Sequence, residues 1–175
     1  MMQKIMIFGK PGGGKSTLAK KMSRMLNLPC VPLDAIEYAS DGSRVPAAEF
    51  ANMHDQLIEQ NEWIIDGLGR MDAFWKRLAA ADTLIYIDLP YRGHYWRVTK
   101  RGLLGCIRHP EGWPEGTSVW QGTLRSYETL RRCPQFWNED FHEKLSKHGS
   151  GKNFIRLTTV RSFNQFVAKL STMKQ

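Results

Sequence analysis

The sequence predicts an α/β fold in which helices cover both faces of a parallel sheet. Two observations carry this prediction. Short apolar runs of strand length recur along the chain, and between them apolar residues return at every third or fourth position, which is helical spacing. Strands that alternate with helices in this way form a parallel sheet between two helical layers. With 175 residues and no internal repeat or linker, the chain (1–175) is expected to be a single domain.

The predicted strands are short apolar runs that end at turn residues or acids. They are residues 3–8, 30–33, 63–65, 83–88 and 153–157. The run at 83–88 is the clearest, because Pro90 stops it. Such runs are typical of strands buried on both faces of a parallel sheet.

The predicted helices have an apolar stripe and, in several cases, a start or stop signal. They cover residues 16–26, 46–58, 71–78, 91–104, 119–132 and 136–147, with a last one from Ser162. Pro46 suits a first helical turn, and Ser162 with Gln165 has the spacing of a capping box. Residues 39–45 are expected to form a polar loop. Residues 105–118, rich in glycine and proline, are expected to form a loop or lid segment.

The composition limits the classes of protein that fit. Hydrophobic residues make up 42% and charged residues 24% of the chain, as in globular proteins. No apolar run approaches the length of a membrane span, and residues 1–9 do not resemble a signal peptide. The three cysteines (Cys30, Cys106, Cys133) form no C-x-x-C pair. We therefore expect a cytoplasmic protein with no membrane partner and no zinc or disulfide framework.

The net charge of +8 has two interpretations. A basic surface could bind the phosphates of nucleic acid, or the charges could line a cleft for small phosphorylated molecules. Much of the excess lies between Arg92 and Arg132, where arginines outnumber the three acids Glu111, Glu115 and Glu128. Small-anion binding is the favoured interpretation, with nucleic acid as the alternative partner.

A phosphate-binding motif comes directly after the first strand. The segment Gly9-Lys10-Pro11-Gly12-Gly13-Gly14-Lys15-Ser16 fits G-x-x-x-x-G-K-[ST], and it lies between a buried strand and an amphipathic helix, as that motif requires. The glycines let successive N–H groups point at phosphate oxygens, and the helix N-terminus adds a positive dipole end. Lys15 is expected to reach the β- and γ-phosphates of ATP, and the Ser16 hydroxyl to bind Mg²⁺. The predicted nucleotide-binding residues are Gly9, Pro11, Gly12, Gly13, Gly14, Lys15, Ser16 and Thr17.

Acidic residues end three of the predicted strands. Asp66 closes the third strand, at the carboxyl edge of the sheet where phosphate cradles lie, so it could hold Mg²⁺ or bind the acceptor. Asp34 comes after the second strand and could orient or deprotonate an acceptor hydroxyl. The alternative for both is a turn or N-cap aspartate. For Asp88, which ends the fourth strand, the structural alternative has equal weight.

Arginines supply the positive charge that phosphoryl transfer needs. Arg97 and Arg101, four residues apart, share one helix face, although a solvated basic stripe is the alternative. Arg70 could clamp an acceptor anion. The histidines show no metal-ligand spacing and are expected on the surface. The tryptophans and phenylalanines within 113–141 are expected to pack the lid helices rather than to stack on bases.

Taken together, these motifs resemble the adenylate-kinase-related P-loop kinases often labelled DNA topology modulation proteins. The likeness is carried by the P-loop, Leu33-Asp34, residues 63–67, residues 81–90 and residues 96–101. The resemblance implies a three-layer P-loop NTPase fold with a five-stranded parallel core, an acceptor-binding insertion at about 34–62 and a helical lid within about 92–140. It also implies ATP with Mg²⁺, lid arginines at Arg97 and Arg101, and an adenine-bordering segment at residues 158–161.

Two departures concern the acceptor side. Residues 66–70 are similar to the D-G-[FY]-P-R of nucleoside monophosphate kinases, but Gly69 replaces the proline. Residues 108–112 match an adenylate kinase lid only faintly. The leading hypothesis is therefore an ATP-dependent kinase with a small-molecule acceptor, which the sequence does not name. The alternatives are a nucleic-acid-associated NTPase or regulator, and a nucleotide-binding scaffold with little turnover.

Overall fold

The computed structural model describes residues 2–39, 41–105 and 119–172. It contains a sheet whose strands are β1 (Lys4–Gly9), β2 (Cys30–Pro32), β3 (Trp63–Asp66), β4 (Thr83–Ile87) and β5 (Asn153–Leu157). All neighbouring strands pair in parallel, in the order β2-β3-β1-β4-β5. The predicted α/β fold with a five-stranded parallel sheet is confirmed.

Helices connect the strands and cover both faces of the sheet. They are α1 (Lys15–Leu26), α2 (Asp34–Glu37), α3 (Ala47–Glu59), α4 (Met71–Ala80), α5 (Tyr91–Gly105), α6 (Val119–Phe136), α7 (Glu139–Gly149) and α8 (Val160–Thr172). Successive residues of a strand point to opposite faces, and β1 shows the result. Met6 and Phe8 join the core beneath α3, α4 and α7, whereas Ile5 and Ile7 join the core beneath α1 and α8.

The chain differs from the predicted elements in one additional helix and at two helix ends. The short α2 was not predicted, because one turn leaves no periodic pattern to detect. Pro134 lies inside α6, which ends only at Phe136, whereas a break after residue 132 was predicted. The last helix begins at Val160, so Ser162 is not its N-cap. Instead Thr159 and Ser162 form a reciprocal pair, in which the Ser162 N–H donates to Thr159 Oγ1 at 2.9 Å and the Thr159 N–H donates to Ser162 Oγ at 3.1 Å.

Some side chains also lie elsewhere than predicted. His54 and His94 are completely buried, so the prediction that the histidines lie on the surface is wrong for these two. The aromatic residues within 113–141 were predicted to pack the lid helices. Trp137 and Phe141 instead belong to the core on one face of the sheet, and Trp120 is 63% exposed. Of the predicted loop or lid segment 105–118, Gly105 ends α5, whereas residues 106–118, including Cys106 and residues 108–112, lie outside the described residues.

The parallel sheet brings the predicted site to one edge. The P-loop comes after β1, α2 after β2, and the segment from Gly67 to Arg70 after β3, so all three leave the carboxyl ends of adjacent strands. In the described part of the chain, no helix is both long enough and apolar enough to cross a membrane.

Candidate active site

The loop between β1 and α1 has the curled backbone that a phosphate cradle requires. Gly9, Gly12 and Gly14 adopt positive φ angles of 147°, 74° and 88°, which residues with a Cβ rarely adopt. Gly9 also has no room for a side chain, because a Cβ there would lie 2.3 Å from the carbonyl oxygen of Ile87. The loop leads directly into the N-terminus of α1, where backbone N–H groups and the helix dipole favour an anion.

Lys15, the first residue of α1, lies among the other charges predicted for the site. Its ammonium group donates to the Lys10 carbonyl oxygen at 3.2 Å, within the same loop. Burial lowers the pKa of Lys15, the carboxylates of Asp66 and Asp34 raise it, and Arg101 lowers it. The fold therefore brings residues from β3, α2 and α5 close enough to act on the lysine of the P-loop.

Asp66 has the surroundings of a metal ligand. It is 4% exposed and pairs with Ile7 of β1 in the sheet. Burial raises the pKa of Asp66, and a hydrogen bond with the Ser16 hydroxyl and the charge of Lys15 oppose that rise. Its Oδ2 atom is buried with no hydrogen-bond partner among the described residues. A carboxylate oxygen left without a partner beside a hydroxyl suits Mg²⁺, which prefers oxygen ligands, so Ser16 and Asp66 fit the predicted ion.

Asp34 is exposed at the start of α2. The Leu33 N–H donates to the Asp66 carbonyl oxygen at 2.9 Å, so the chain enters α2 directly beside the end of β3. Leu33, and not Asp34, occupies the N-cap position of α2, which argues against the N-cap alternative for this aspartate. The Asp34 carboxylate raises the pKa of both Lys15 and Arg101, so its charge reaches the P-loop and α5.

The two arginines of α5 contact different partners beside the cradle. Arg101 donates from Nη2 to the Ser126 hydroxyl of α6 at 2.8 Å, and its pKa is lowered by burial and raised by Asp34. Arg97, about one turn earlier, has Nη1 at 3.5 Å from the Gly13 carbonyl oxygen of the P-loop. Arg97 thus lies against the loop itself, and Arg101 lies closer to Asp34.

Arg70 points toward the loop that precedes α3. Its Nη2 donates to the Val45 carbonyl oxygen at 2.9 Å, and its guanidinium lies 5.2 Å from the centre of the Phe50 ring. Sequence reasoning missed the nearby Glu37, a 4%-exposed acid that forms an ion pair with Arg44 at 2.9 Å. Burial raises the pKa of Glu37, and the charges of Arg44 and Arg70 lower it. No pattern marked Glu37, because α2 is too short to show one.

A second charge network connects the P-loop, through Lys10, to the end of β4 and to β5. Asp88 accepts a hydrogen bond from Lys10 at 2.7 Å on one carboxylate oxygen, and hydrogen bonds from Arg156 of β5 on the other. The Lys10 ammonium also lies 4.8 Å from the centre of the Tyr91 ring and 5.7 Å from that of Trp137. Asp88 is thus structural in this arrangement. Strands β1 and β4 pair as far as Gly9 and Ile87. Asp88, the next residue after Ile87, therefore lies next to the start of the P-loop.

The comparisons with known proteins concern the fold. No family model matches the sequence, and no curated protein matches it. Among solved structures, the chain is similar to a shikimate kinase from Acinetobacter baumannii in complex with shikimate, with a TM-score of 0.55, 14% identity and coverage of 99% of this chain and 93% of that one. A shikimate kinase from Bacteroides thetaiotaomicron gives a TM-score of 0.55 and 17% identity, with coverage of 99% and 98%. The chain has a P-loop kinase fold. At these identities the likeness shows the fold alone.

In this P-loop kinase fold a fully buried arginine supports the turn after β3. Arg77 of α4 donates to the carbonyl oxygens of Gly67 and Leu68 at 3.1 and 3.0 Å, and its Nη1 lies 3.1 Å from Nε2 of the buried His54. Burial lowers the pKa of Arg77 to about 10. Helical spacing did not single out Arg77 or His54, because both are polar residues on the buried face of their helix, where the pattern counts only apolar residues.

The segment predicted to border adenine leads from β5 into α8, and Val160 within it is 52% exposed. One turn later, the Phe163 ring lies within 3.5 Å of where a Cβ on Gly14 would be. The start of α8 therefore lies next to the P-loop.

Proposed function

We propose that this protein is an ATP-dependent kinase that transfers the γ-phosphoryl group to a small molecule bearing a hydroxyl or phosphate acceptor. One observation carries the proposal: the exposed Asp34 begins α2 directly beside the end of β3, where the Leu33 N–H donates to the Asp66 carbonyl oxygen at 2.9 Å, and its charge raises the pKa of both Lys15 and Arg101. A nucleotide-binding scaffold needs the cradle alone. An acid whose charge reaches the P-loop lysine is suited to orient or deprotonate an acceptor hydroxyl.

In the proposed mechanism, each residue acts by binding or positioning. The P-loop N–H groups and Lys15 hold the β- and γ-phosphates, and Arg97 and Arg101 stabilise the negative charge that develops during transfer. Asp34 orients the acceptor and takes its proton. Ser16 and Asp66 would hold Mg²⁺, which supplies charge neutralisation at the phosphates when bound.

The acceptor is proposed to bind between α2, α3 and the turn after β3. Glu37, Arg44 and Arg70 lie on that side, and Arg44 is largely exposed, with 63% of its side chain open to solvent. Exposed guanidinium groups bind carboxylates and phosphates well, so we propose an acceptor that carries an anionic group. Arg70 would contribute if its bond to the Val45 carbonyl oxygen opened.

The test is a screen for acceptors that increase ADP release, measured with a coupled assay. The panel contains nucleoside monophosphates, nucleosides and hydroxy acids. It includes shikimate, because a structural neighbour is solved in complex with it. Lys15→Ala serves as the blank, and Asp34→Asn as the variant that keeps the cradle. We expect one acceptor class to raise ADP release in the wild type alone. A panel in which no compound exceeds the Lys15→Ala blank would contradict the proposal.

The nucleic-acid alternative is supported by exposed aromatic side chains on basic helices. Trp96 of α5 and Trp120 of α6 are 66% and 63% exposed, and Arg92 and Lys100 are exposed on α5 as well. Bases stack on such aromatic groups. This alternative predicts binding of a labelled oligonucleotide that weakens steeply with salt, whereas weak binding with no salt dependence would exclude it.

Two finer assignments also belong to the proposal. A cytoplasmic location is favoured by Cys30 and Cys133, which are free thiols whose burial raises their pKa values to about 11. Membership of the group labelled DNA topology modulation proteins stays a prediction from the sequence motifs.

A further inference from the structure

Helix α5 packs directly against the outside of the P-loop. A Cβ on Gly12 would lie 3.0 Å from the His94 carbonyl oxygen and 3.0 Å from a methyl group of Val98. A Cβ on Gly13 would lie 3.3 Å from Cε1 of the His94 ring. The loop therefore has no clearance from α5, and the surface of the helix determines where the loop backbone can lie.

His94 connects this helix to the loop through its ring. The residue is completely buried. Its Nδ1 lies 2.8 Å from the Pro11 carbonyl oxygen in the P-loop, and its Nε2 lies 3.1 Å from the Leu89 carbonyl oxygen in the connection between β4 and α5. One buried side chain thus bridges the phosphate cradle and the segment that leads into α5.

The proton on the ring can be assigned from its surroundings. Burial lowers the pKa of His94, the bond to Pro11 raises it, and the charges of Lys10 and Lys15 lower it further. The neutral ring donates through one nitrogen only. Both neighbours are carbonyl oxygens, which can only accept, so the ring donates to one of them, and the shorter contact, 2.8 Å to Pro11, favours the proton on Nδ1.

The bond to Pro11 fixes the direction of the next N–H group. A peptide unit is planar and trans, so its C=O and N–H point in opposite directions. Because the Pro11 carbonyl points at His94, the Gly12 N–H points away from α5. A phosphate cradle works only if such N–H groups converge on the anion, and glycine at position 12 would otherwise let this peptide rotate freely.

We propose that His94 is a positioning residue, which sets the Pro11–Gly12 peptide in the orientation that binds the phosphates of ATP. The inference rests on the proposed function, because it assumes that the P-loop binds Mg·ATP. It predicts that a hydrogen-bond donor at the Nδ1 position matters for affinity, and that a donor at the Nε2 position cannot replace it.

Three substitutions distinguish a donor at the Nδ1 position from a donor at the Nε2 position. In His94→Asn the amide nitrogen can occupy the place of Nδ1, in His94→Gln it can occupy the place of Nε2, and His94→Leu keeps apolar volume with neither donor. We expect His94→Asn to bind Mg·ATP within about threefold of the wild type, whereas His94→Gln and His94→Leu lose about tenfold, the effect of one hydrogen bond. The measurement is isothermal titration calorimetry with Mg·ATP on the full chain, well below each melting temperature.

The control separates positioning from stability. Leu145 belongs to α7, packs into the core and is distant in sequence from the P-loop. Leu145→Ala should therefore lower the melting temperature without changing Mg·ATP affinity. Equal affinity in all three His94 variants, or affinities that track melting temperature rather than donor position, would overturn the inference and leave the proposed function standing. Failure of the wild type to bind Mg·ATP would overturn both. If His94→Leu does not fold, the comparison of Asn with Gln decides alone.

Discussion

The ion pair beneath the P-loop predicts a large and specific loss of stability when Asp88 is changed to Asn. The Lys10 side chain is 5% exposed and that of Asp88 is 14% exposed, and the two groups are 2.7 Å apart. Asparagine fills the same space but leaves the buried Lys10 ammonium without its counter-charge. Removing one partner of a buried pair destabilises a protein by about 3–5 kcal/mol, and we expect about 3 kcal/mol here because Asp88 is not fully buried.

The third member of the network provides a matched control. Arg156 contacts the same carboxylate, but its side chain is 47% exposed. Ion pairs with an exposed partner contribute about 0–1 kcal/mol, so Arg156→Met should change stability by less than 1 kcal/mol. In the double-mutant cycle of Lys10→Met and Asp88→Asn, the combined loss should be smaller than the sum of the single losses by about 2 kcal/mol, because Lys10→Met removes the stranded charge.

The assay is urea unfolding monitored by circular dichroism, repeated from pH 7 down to pH 3. Burial raises the pKa of Asp88, but the hydrogen bonds from Lys10 and Arg156 outweigh it and hold the pKa below the ordinary 3.8. A carboxyl with a depressed folded-state pKa stabilises the protein above pH 3.8, and that stability is lost as the pH falls through the lower folded-state value. The gap between wild type and Asp88→Asn should therefore shrink below pH 4. A gap no larger than that of Arg156→Met at pH 7 would refute the reasoning.

Three further predictions concern the cradle and its surroundings. Lys15→Ala should abolish the rise in melting temperature that Mg·ATP produces in the wild type, and an unchanged rise would show that nucleotide binds elsewhere. Asp34→Asn should lower the rate of phosphoryl transfer about 10²–10⁴-fold, the usual contribution of a general base, while Mg·ATP affinity measured by calorimetry stays the same. Arg77→Met should destabilise the fold by about 2–3 kcal/mol in urea unfolding, since two partly buried carbonyl groups, those of Gly67 and Leu68, lose their donor. A loss of stability no greater than that of Arg156→Met, which changes an exposed arginine, would contradict the prediction for Arg77→Met.

The sheet was predictable because its signals are local. Each strand is a short apolar run closed by a turn residue, and the P-loop motif fixes the turn and the helix after β1. The placement of Asp34 and Asp66 at one edge came from the same rule, since parallel strands end on the same side. Helix boundaries were predicted wrongly where several neighbouring residues could serve as the cap, because the sequence alone does not decide between them. The reciprocal Thr159–Ser162 pair, for example, moves the start of α8 two residues ahead of the predicted cap.

The residues that support the site could not be predicted, because their partners are distant in sequence. His94 meets Pro11 across 83 positions, and Lys10 meets Asp88 across 78. A histidine beside a carbonyl oxygen and a lysine beside an aspartate leave no pattern in a single sequence. Burial of such polar groups is unusual, and only the assembled fold shows the partners that make it tolerable.

The most direct test of the account is to trace the γ-phosphoryl group itself. The protein is incubated with Mg²⁺, ATP labelled with ³²P at the γ position and the acceptor panel, and the products are separated by chromatography. The account predicts label in a small organic acceptor, and no such product with Lys15→Ala or with Mg²⁺ chelated. Label that stays in ATP or appears only as inorganic phosphate, with every acceptor tried, would contradict the claim that this site is a kinase.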